Sequence, residues 1–251
     1  MENQFVDEPL DQKPDINREY YISPYTKSKG LTHLMKLVLC AKNNDECLEM
    51  IKKIVNNDPK EVGEYCAEGW TSLMIACRNG NIEIVKLLLD RSDIDININK
   101  QHNEGRTALM LACRYGNINS NSNLKTVKLL SSHPGIDVNK QDNSGWTALM
   151  WACSYGITDS NIEIFKLLLN HPDIDVNRQN NDKWTALTLA CVYGNADSDV
   201  ETVKLLLDHP NIDIDMQNNN GGKAVIEKIR SCENYKEHIC EIYIGRQYIR
   251  K

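Results

Sequence analysis

No stretch of this 251-residue chain is both long and apolar enough to suggest a membrane span. About 18 uncharged apolar residues in a row are needed, and candidates such as Ile84–Leu89 are broken by lysine. Basic charge is also in short supply: 29 lysines and arginines face 35 aspartates and glutamates, for a net charge of −6 and a sequence pI near 5.6. The electrostatic footprint of a protein that wraps nucleic-acid phosphates is therefore missing. The opening residues 1–20 are polar and acid-rich, without the apolar stretch of a secretory signal. Cysteine is not scarce, but the nine present are odd in number, and none forms a C-x-x-C pair. That speaks against a disulfide scaffold and against a zinc site. There is no phosphate-cradling glycine loop, no G-x-S-x-G elbow and no H-E-x-x-H helix. The expectations are a cytoplasmic protein in a reducing setting, no enzyme activity, no cofactor, no metal, no membrane and no nucleic acid. With 41% hydrophobic and 25% charged residues, the composition is that of a soluble globular protein able to bury a core.

What the chain does have is repetition. Trp70-Thr-Ser-Leu-Met-Ile-Ala-Cys77, Arg106-Thr-Ala-Leu-Met-Leu-Ala-Cys113, Trp146-Thr-Ala-Leu-Met-Trp-Ala-Cys153 and Trp184-Thr-Ala-Leu-Thr-Leu-Ala-Cys191 are four versions of one phrase. Their threonines are offset by 36, 40 and 38 residues, a period that marks a solenoid or array. Thr71, Thr107, Thr147 and Thr185 are placed to N-cap a first helix, and Gly80, Gly116, Gly156 and Gly194 to end it. A second helix follows in each unit, on Ile84–Leu89, Val127–Leu130, Ile164–Leu169 and Val203–Leu207. Polar connectors such as 171–182 alternate Ile174 and Val176 with polar residues, which reads as a short extended segment and a turn. After each His-Pro pair stands Gly135, Asp173 or Asn211, residues that tolerate positive φ, so a backbone constraint is expected there. One helix pair cannot bury its own apolar face, and the units must stack.

Asp142-Asn-Ser-Gly145-Trp-Thr147-Ala-Leu149-Met-Trp-Ala152, with Gly156 and Asp175-Val176-Asn177, resembles the ankyrin repeat and its D-x-x-G-x-T-P-L-H-x-A-x-x-x-G pattern. The resemblance spans residues 69–220 and implies an all-α solenoid of helix-turn-helix units joined by short β-hairpin connectors. The chain divides into a flexible leader 1–29, an N-terminal capping repeat 30–68, repeats 69–104, 105–144, 145–182 and 183–220, and a C-terminal capping repeat 221–251. There are departures. Ser72, Ala108, Ala148 and Ala186 replace the family proline, and Met74, Met110, Met150 and Thr188 replace the histidine. Loss of that histidine removes its loop-to-loop hydrogen bonds and implies looser hairpins. Lys183 occupies the turn-glycine position, where positive φ costs on the order of 1 kcal/mol. Extra residues at 117–122, 157–160 and 195–198 read as polar insertions between helices. The asparagine-rich wording is also similar to the mimivirus-like ankyrin arrays of giant DNA viruses of amoebae, which implies host-cell cytoplasm.

Cys77, Cys113, Cys153 and Cys191 recur once per unit and read as small buried hydrophobes. Stacked helices stand about 8–10 Å apart, beyond the ~7 Å Cα limit for a disulfide. Cys232, His238 and Cys240 are the one local cluster with metal-ligating chemistry, and they lack the paired spacing of a zinc site. His133, His171 and His209 share one connector position, so they are a repeated surface feature and not a catalytic group. Lys86, Lys128, Lys166 and Lys204 belong to a solvated outer face. Function then falls to surface recognition of another protein by a monomer. In the ankyrin resemblance, the concave face takes Trp70, Arg78, Asn79, Arg106, Arg114, Tyr115, Trp146, Ser154, Tyr155, Trp184, Val192 and Tyr193. Trp, Tyr and Arg are the usual anchors of protein interfaces. The tryptophans have a second reading, packing onto the next unit. The alternative functions are a self-assembling structural component and an adaptor that recruits host proteins.

Overall fold

The computed structural model describes residues 21–23, 26–27, 30–41, 45–91, 96–115, 120–154, 159–193 and 197–216. Ser154, Val192 and Tyr193 are placed within helices, with side chains outside the description. Tyr155, Gly116, Gly156, Gly194, Cys232, His238, Cys240 and the whole of 221–251 lie outside the described residues. Within the segment expected as a leader, β1 (Tyr21–Ser23) and β2 (Thr26–Lys27) pair antiparallel.

Five helix pairs follow among the described residues. They are α1 (His33–Cys40) with α2 (Asp45–Asn57), then, after the short α3 (Pro59–Gly63), α4 (Ser72–Arg78) with α5 (Ile82–Leu89), α6 (Ala108–Arg114) with α7 (Ser120–Ser131), α8 (Ala148–Ser154) with α9 (Asp159–Leu169), and α10 (Ala186–Tyr193) with α11 (Asp197–Asp208). Helices α1, α4, α6, α8 and α10 pack one on the next as an inner layer, and α2, α5, α7, α9 and α11 form the layer behind them. One core runs between the layers. It takes Leu73, Leu109, Leu149 and Leu187 from the first and Leu88, Leu130, Leu168 and Leu206 from the second, all buried.

The threonines start the first helices as their chemistry requires. The hydroxyls of Thr32, Thr71, Thr107, Thr147 and Thr185 each accept the backbone N–H three residues on, at 3.2–3.3 Å. Each such cap stabilises its helix by about 1 kcal/mol. The residues standing in for the family histidine close part of the gap: the Thr107 N–H reaches Met110 Sδ at 3.5 Å, and the Thr185 and Thr188 hydroxyls lie 3.2 Å apart. Gly80 ends α4 with φ of 66°.

Three expectations are corrected. Gly135, Asp173 and Asn211 do not have positive φ; among the described non-glycine residues only Lys183 does, at 64°. The preceding histidine shapes the turn instead, because Nδ1 of His133, His171 and His209 accepts the N–H of Gly135, Asp173 and Asn211 at 3.2–3.3 Å. With Nδ1 accepting, the proton of His171 sits on Nε2, which donates to the Ser131 carbonyl at 3.1 Å. The second correction concerns the insertions. Residues 120–122, 159–160 and 197–198 are helical, so part of each insertion lengthens the second helix, to 12 residues in α7 against 8 in α5.

The third correction concerns the hairpins, which are tied although the family histidine is missing. Each closes on a backbone bond, from His102, Asp142 and Asn180 N–H to the carbonyls of Arg106, Trp146 and Trp184. Each also bonds to the tip before it, through Asn103 to Glu68, Asn143 to Glu104 and Asn181 to Ser144. Amide side chains do the rest. Gln101 Nε2 donates to the carbonyls of Gly105 and Gln141, and Gln141 repeats this one unit on, to Gly145 and Gln179. Asn99, Asn139 and Asn177 each donate to the carbonyl of Gly135, Asp173 or Asn211, while their side-chain oxygens accept from Asp137, Asp175 or Asp213. The abundance of asparagine is thus structural: an amide offers both a donor and an acceptor to the neighbouring loop.

Candidate functional site

The N-capped first helices and closed hairpins set a row of large side chains along one side of the stack. Trp70, just before the cap Thr71, is buried and stacks on His102 of the following hairpin, with ring centroids 4.6 Å apart and planes 9° from parallel. Arg78, in the last turn of α4, has its guanidinium carbon 5.9 Å from the Trp70 ring and 5.1 Å from that of Tyr115, the residue capping α6. Arg114 lies 5.4 Å from the Tyr115 ring and 4.7 Å from that of Trp151 in α8. Arg106 reaches the same indole at 5.0 Å, and Trp146 packs against it at 4.7 Å. Rings and guanidinium groups therefore alternate across three successive units. Each exposed cation–π contact contributes about 0.5–1 kcal/mol, and more where desolvated.

Carboxylates fix this row. Asp142 Oδ1 accepts from the N–H groups of Ser144 and Trp146 at 2.9 Å, and Oδ2 accepts from Trp151 Nε1 at 3.1 Å. The same group lies 3.8 Å from Arg106 Nε, and Glu104 pairs with Arg106 at 2.5 Å. Burial, reinforced by the nearby Arg114 cation, lowers the Arg106 pKa. Asn180 repeats the hairpin-closing part of this role for Asp182 and Trp184, and His102 does so for Glu104 through Nδ1 at 3.0 Å. Burial drives His102 down to a pKa of about 4, with Arg106 and Arg114 acting the same way against the opposing pull of Glu104.

Of the residues expected to form a recognition face, Arg78, Arg106, Arg114, Tyr115 and Trp146 come together in this row. Trp70 joins it from beneath by packing. Asn79 is the half-buried C-cap of α4, with its N–H bonded to Ile75, and Trp184 is half-buried against the core. Sequence reasoning passed over three members. Trp151 stands where the other units carry Ile75, Leu111 and Leu189, a break in the repeat that marks it; Asp142 and His102 occupy the polar position that opens each hairpin.

The repeated cysteines behave as small apolar groups. Cys77, Cys113, Cys153 and Cys191 are buried and outside any disulfide, and burial pushes the first three thiols far above their usual range. A thiol held protonated in this way is a poor nucleophile. Among the described residues, no cluster of three or more His, Cys, Asp or Glu could hold a metal ion, and no helix is long and apolar enough to cross a membrane.

The sequence profile described as ankyrin repeats (3 copies) matches residues 37–142 and 118–220. A crystal structure of EF0377, an ankyrin repeat protein, is 27% identical with a TM-score of 0.66, and the match covers 82% of this chain and 96% of that one. An ankyrin repeat domain from Acinetobacter baumannii AYE is 23% identical with a TM-score of 0.68, covering 84% of this chain and 96% of the other; it supports the fold alone. No curated protein matches the sequence. Ankyrin repeats are generally protein–protein interaction modules, and proteins built from them are typically non-enzymatic scaffolds. Helix pairs stacked in two layers among the described residues, with a profile match over residues 37–142 and 118–220, well over half of the chain, place this chain in the ankyrin repeat family.

Proposed function

We propose that this chain is a non-enzymatic module that captures a protein partner on the concave face formed by its hairpin tips and first helices. The observation that carries the reading is the ring-and-guanidinium row from Trp70 to Trp146, built by three units and partly open to solvent at Arg78, Arg114 and Tyr115. Side chains already held in place lose little conformational entropy on binding, so a few can dominate affinity. Ser154, Tyr155, Trp184, Val192 and Tyr193 extend the proposed face toward 183–220. The repeat boundaries and both capping repeats are part of the same proposal, as are a monomeric state and a cytoplasmic setting. The likeness in wording to amoebal giant-virus arrays supports a host protein as partner.

The test is a pair of double variants used as bait. Tyr115→Ala with Tyr155→Ala should keep helical content and weaken capture at least about tenfold, or about 1.4 kcal/mol. Lys128→Ala with Lys166→Ala, on the second helices, should leave capture intact. The reverse pattern would move the binding face to the outer layer. Sizing chromatography separates the module from a self-assembling component, because only the latter gives a concentration-dependent oligomer.

A further inference from the structure

We propose that the joint between the N-terminal unit and the first full repeat holds a second binding site, a cavity that takes a small carboxylic acid whose apolar part is one ring or one branched chain. It shares no residue with the arginine–aromatic row and stands independently of the reading above. The cavity measures about 200 Å³ and lies between the connector at 62–65 and the next at 96–100. Buried Val62, Leu73 and Leu88, with half-buried Ile96, make its apolar wall, while the more exposed Tyr65 and Lys100 belong to its rim.

The cavity sits where the amide ladder between connectors is broken. Cys66 opens its hairpin by donating to the Trp70 carbonyl, as His102, Asp142 and Asn180 do in the later units. Counting back from these positions, Tyr65 is the counterpart of Gln101, Gln141 and Gln179, and Gly63 that of Asn99, Asn139 and Asn177. In the later units the asparagine Oδ1 accepts the N–H of Asp137, Asp175 or Asp213, one connector on. Asn97 holds that place at this joint, and Gly63 has no side chain to meet its N–H. The joint therefore lacks an oxygen acceptor at the wall of an apolar cavity.

Charge decides which acceptor suits. Lys100 Nζ lies 3.7 Å from the Tyr65 ring centroid, a cation–π contact that holds the ammonium at the rim. No carboxylate among the described residues pairs with it. The Lys100 N–H closes a turn on the Asn97 carbonyl at 2.9 Å, which keeps the ammonium and the Asn97 N–H on one short stretch of chain. A ligand carboxylate can accept from both in place of the missing amide oxygen, and a bond between charged partners is stronger than a neutral one. The cavity sizes the rest of the ligand. An apolar space of about 150 Å³ is enough for benzene, so about 200 Å³ takes one ring or one branched chain.

Titration of the full chain with phenylacetate, benzyl alcohol and benzylamine, followed by ligand-observed NMR, tests this. Phenylacetate should bind in the millimolar range that about ten heavy atoms allow, at least about tenfold tighter than the neutral and cationic probes. Lys100→Gln should weaken it at least about tenfold. Gly63→Asn restores the amide and crowds the cavity, so it should remove binding while the unfolding midpoint holds or rises. N-acetyl-alanyl-phenylalanine identifies the source of the acid. Binding tighter than that of phenylacetate assigns the site to a partner's C-terminal residue, and weaker binding assigns it to a free acid. No binding of either acid, equal binding of benzylamine or of the amidated dipeptide, or binding unchanged in either variant would overturn the proposal.

Discussion

Asn139 offers the sharpest test of how the units are coupled. Its side-chain Nδ2 donates to the Asp173 carbonyl at 2.6 Å, and its Oδ1 accepts the Asp175 N–H at 2.8 Å, so one amide spans two connectors. A typical intramolecular hydrogen bond contributes about 0.5–1.5 kcal/mol net, and two of them about 1–3 kcal/mol. Asp173 and Asp175 are exposed, so water can replace part of what is lost. Asn139→Ala should therefore cost about 1–2 kcal/mol, the lower part of that range. The loss falls on the interface between units, where nearest-neighbour coupling supplies much of the stability of a repeat array. Urea unfolding should show both a lower midpoint and a broader transition. Asn139→Asp sharpens the test. It keeps the acceptor, loses the donor and sets a carboxylate beside Asp137, Asp173 and Asp175, so its cost should match or exceed that of alanine and shrink with added salt. An alanine cost below about 0.5 kcal/mol, or an aspartate variant as stable as the native chain at low salt, would refute the idea that asparagine ladders couple the units.

Leu168, fully buried in α9 between α7 and α11, should lose roughly 2–5 kcal/mol on truncation to alanine; denaturant unfolding measures this, and a loss under about 1 kcal/mol would contradict the packing. Lys183→Gly relieves a left-handed backbone worth about 1–2 kcal/mol, offset by about 0.5–1 kcal/mol of glycine chain entropy, so thermal unfolding should show a small net gain. Gly145→Ala should instead destabilise, because its Cβ would meet Asn181 N at 2.7 Å at a φ of 79°. His102 is held neutral in the fold, with a pKa of about 4 against an ordinary 6.5. The unfolded chain takes up a proton first, so this contribution to stability is complete above pH 6.5 and is lost as pH falls toward 4, by at most about 3.4 kcal/mol at 1.36 kcal/mol per pH unit. His102→Asn, which copies Asn180, should flatten that part of the pH–stability curve. Mass measurement with and without reductant should give one disulfide-free chain, and metal analysis no stoichiometric zinc; zinc at Cys232, His238 and Cys240 would contradict this.

Sequence alone was enough for whatever depends on local chemistry repeated in register. The threonine caps at Thr71, Thr107, Thr147 and Thr185, the alternating burial of Ile174 and Val176, the strained Lys183 and the buried cysteines are each set by a residue type at a fixed spacing. Periodicity turns such local signals into a fold, because a helix pair that cannot bury its own face must stack. Relations between units were not legible in the same way. Nothing in the words Asn-Lys-Gln shows that Asn139 and Gln141 reach the next connector, about 35–40 residues on, since that pairing exists only once stacking sets the distance between loops. The His-Pro turn misled for a similar reason: the small residue after proline suggested a left-handed backbone, whereas the histidine ring supplies the acceptor that bends the chain with φ left negative. The arginine–aromatic row is tertiary in the same sense. Arg78, Tyr115, Arg114 and Trp151 belong to three different repeats, and only the closeness of stacked first helices brings one unit's guanidinium onto the next unit's ring.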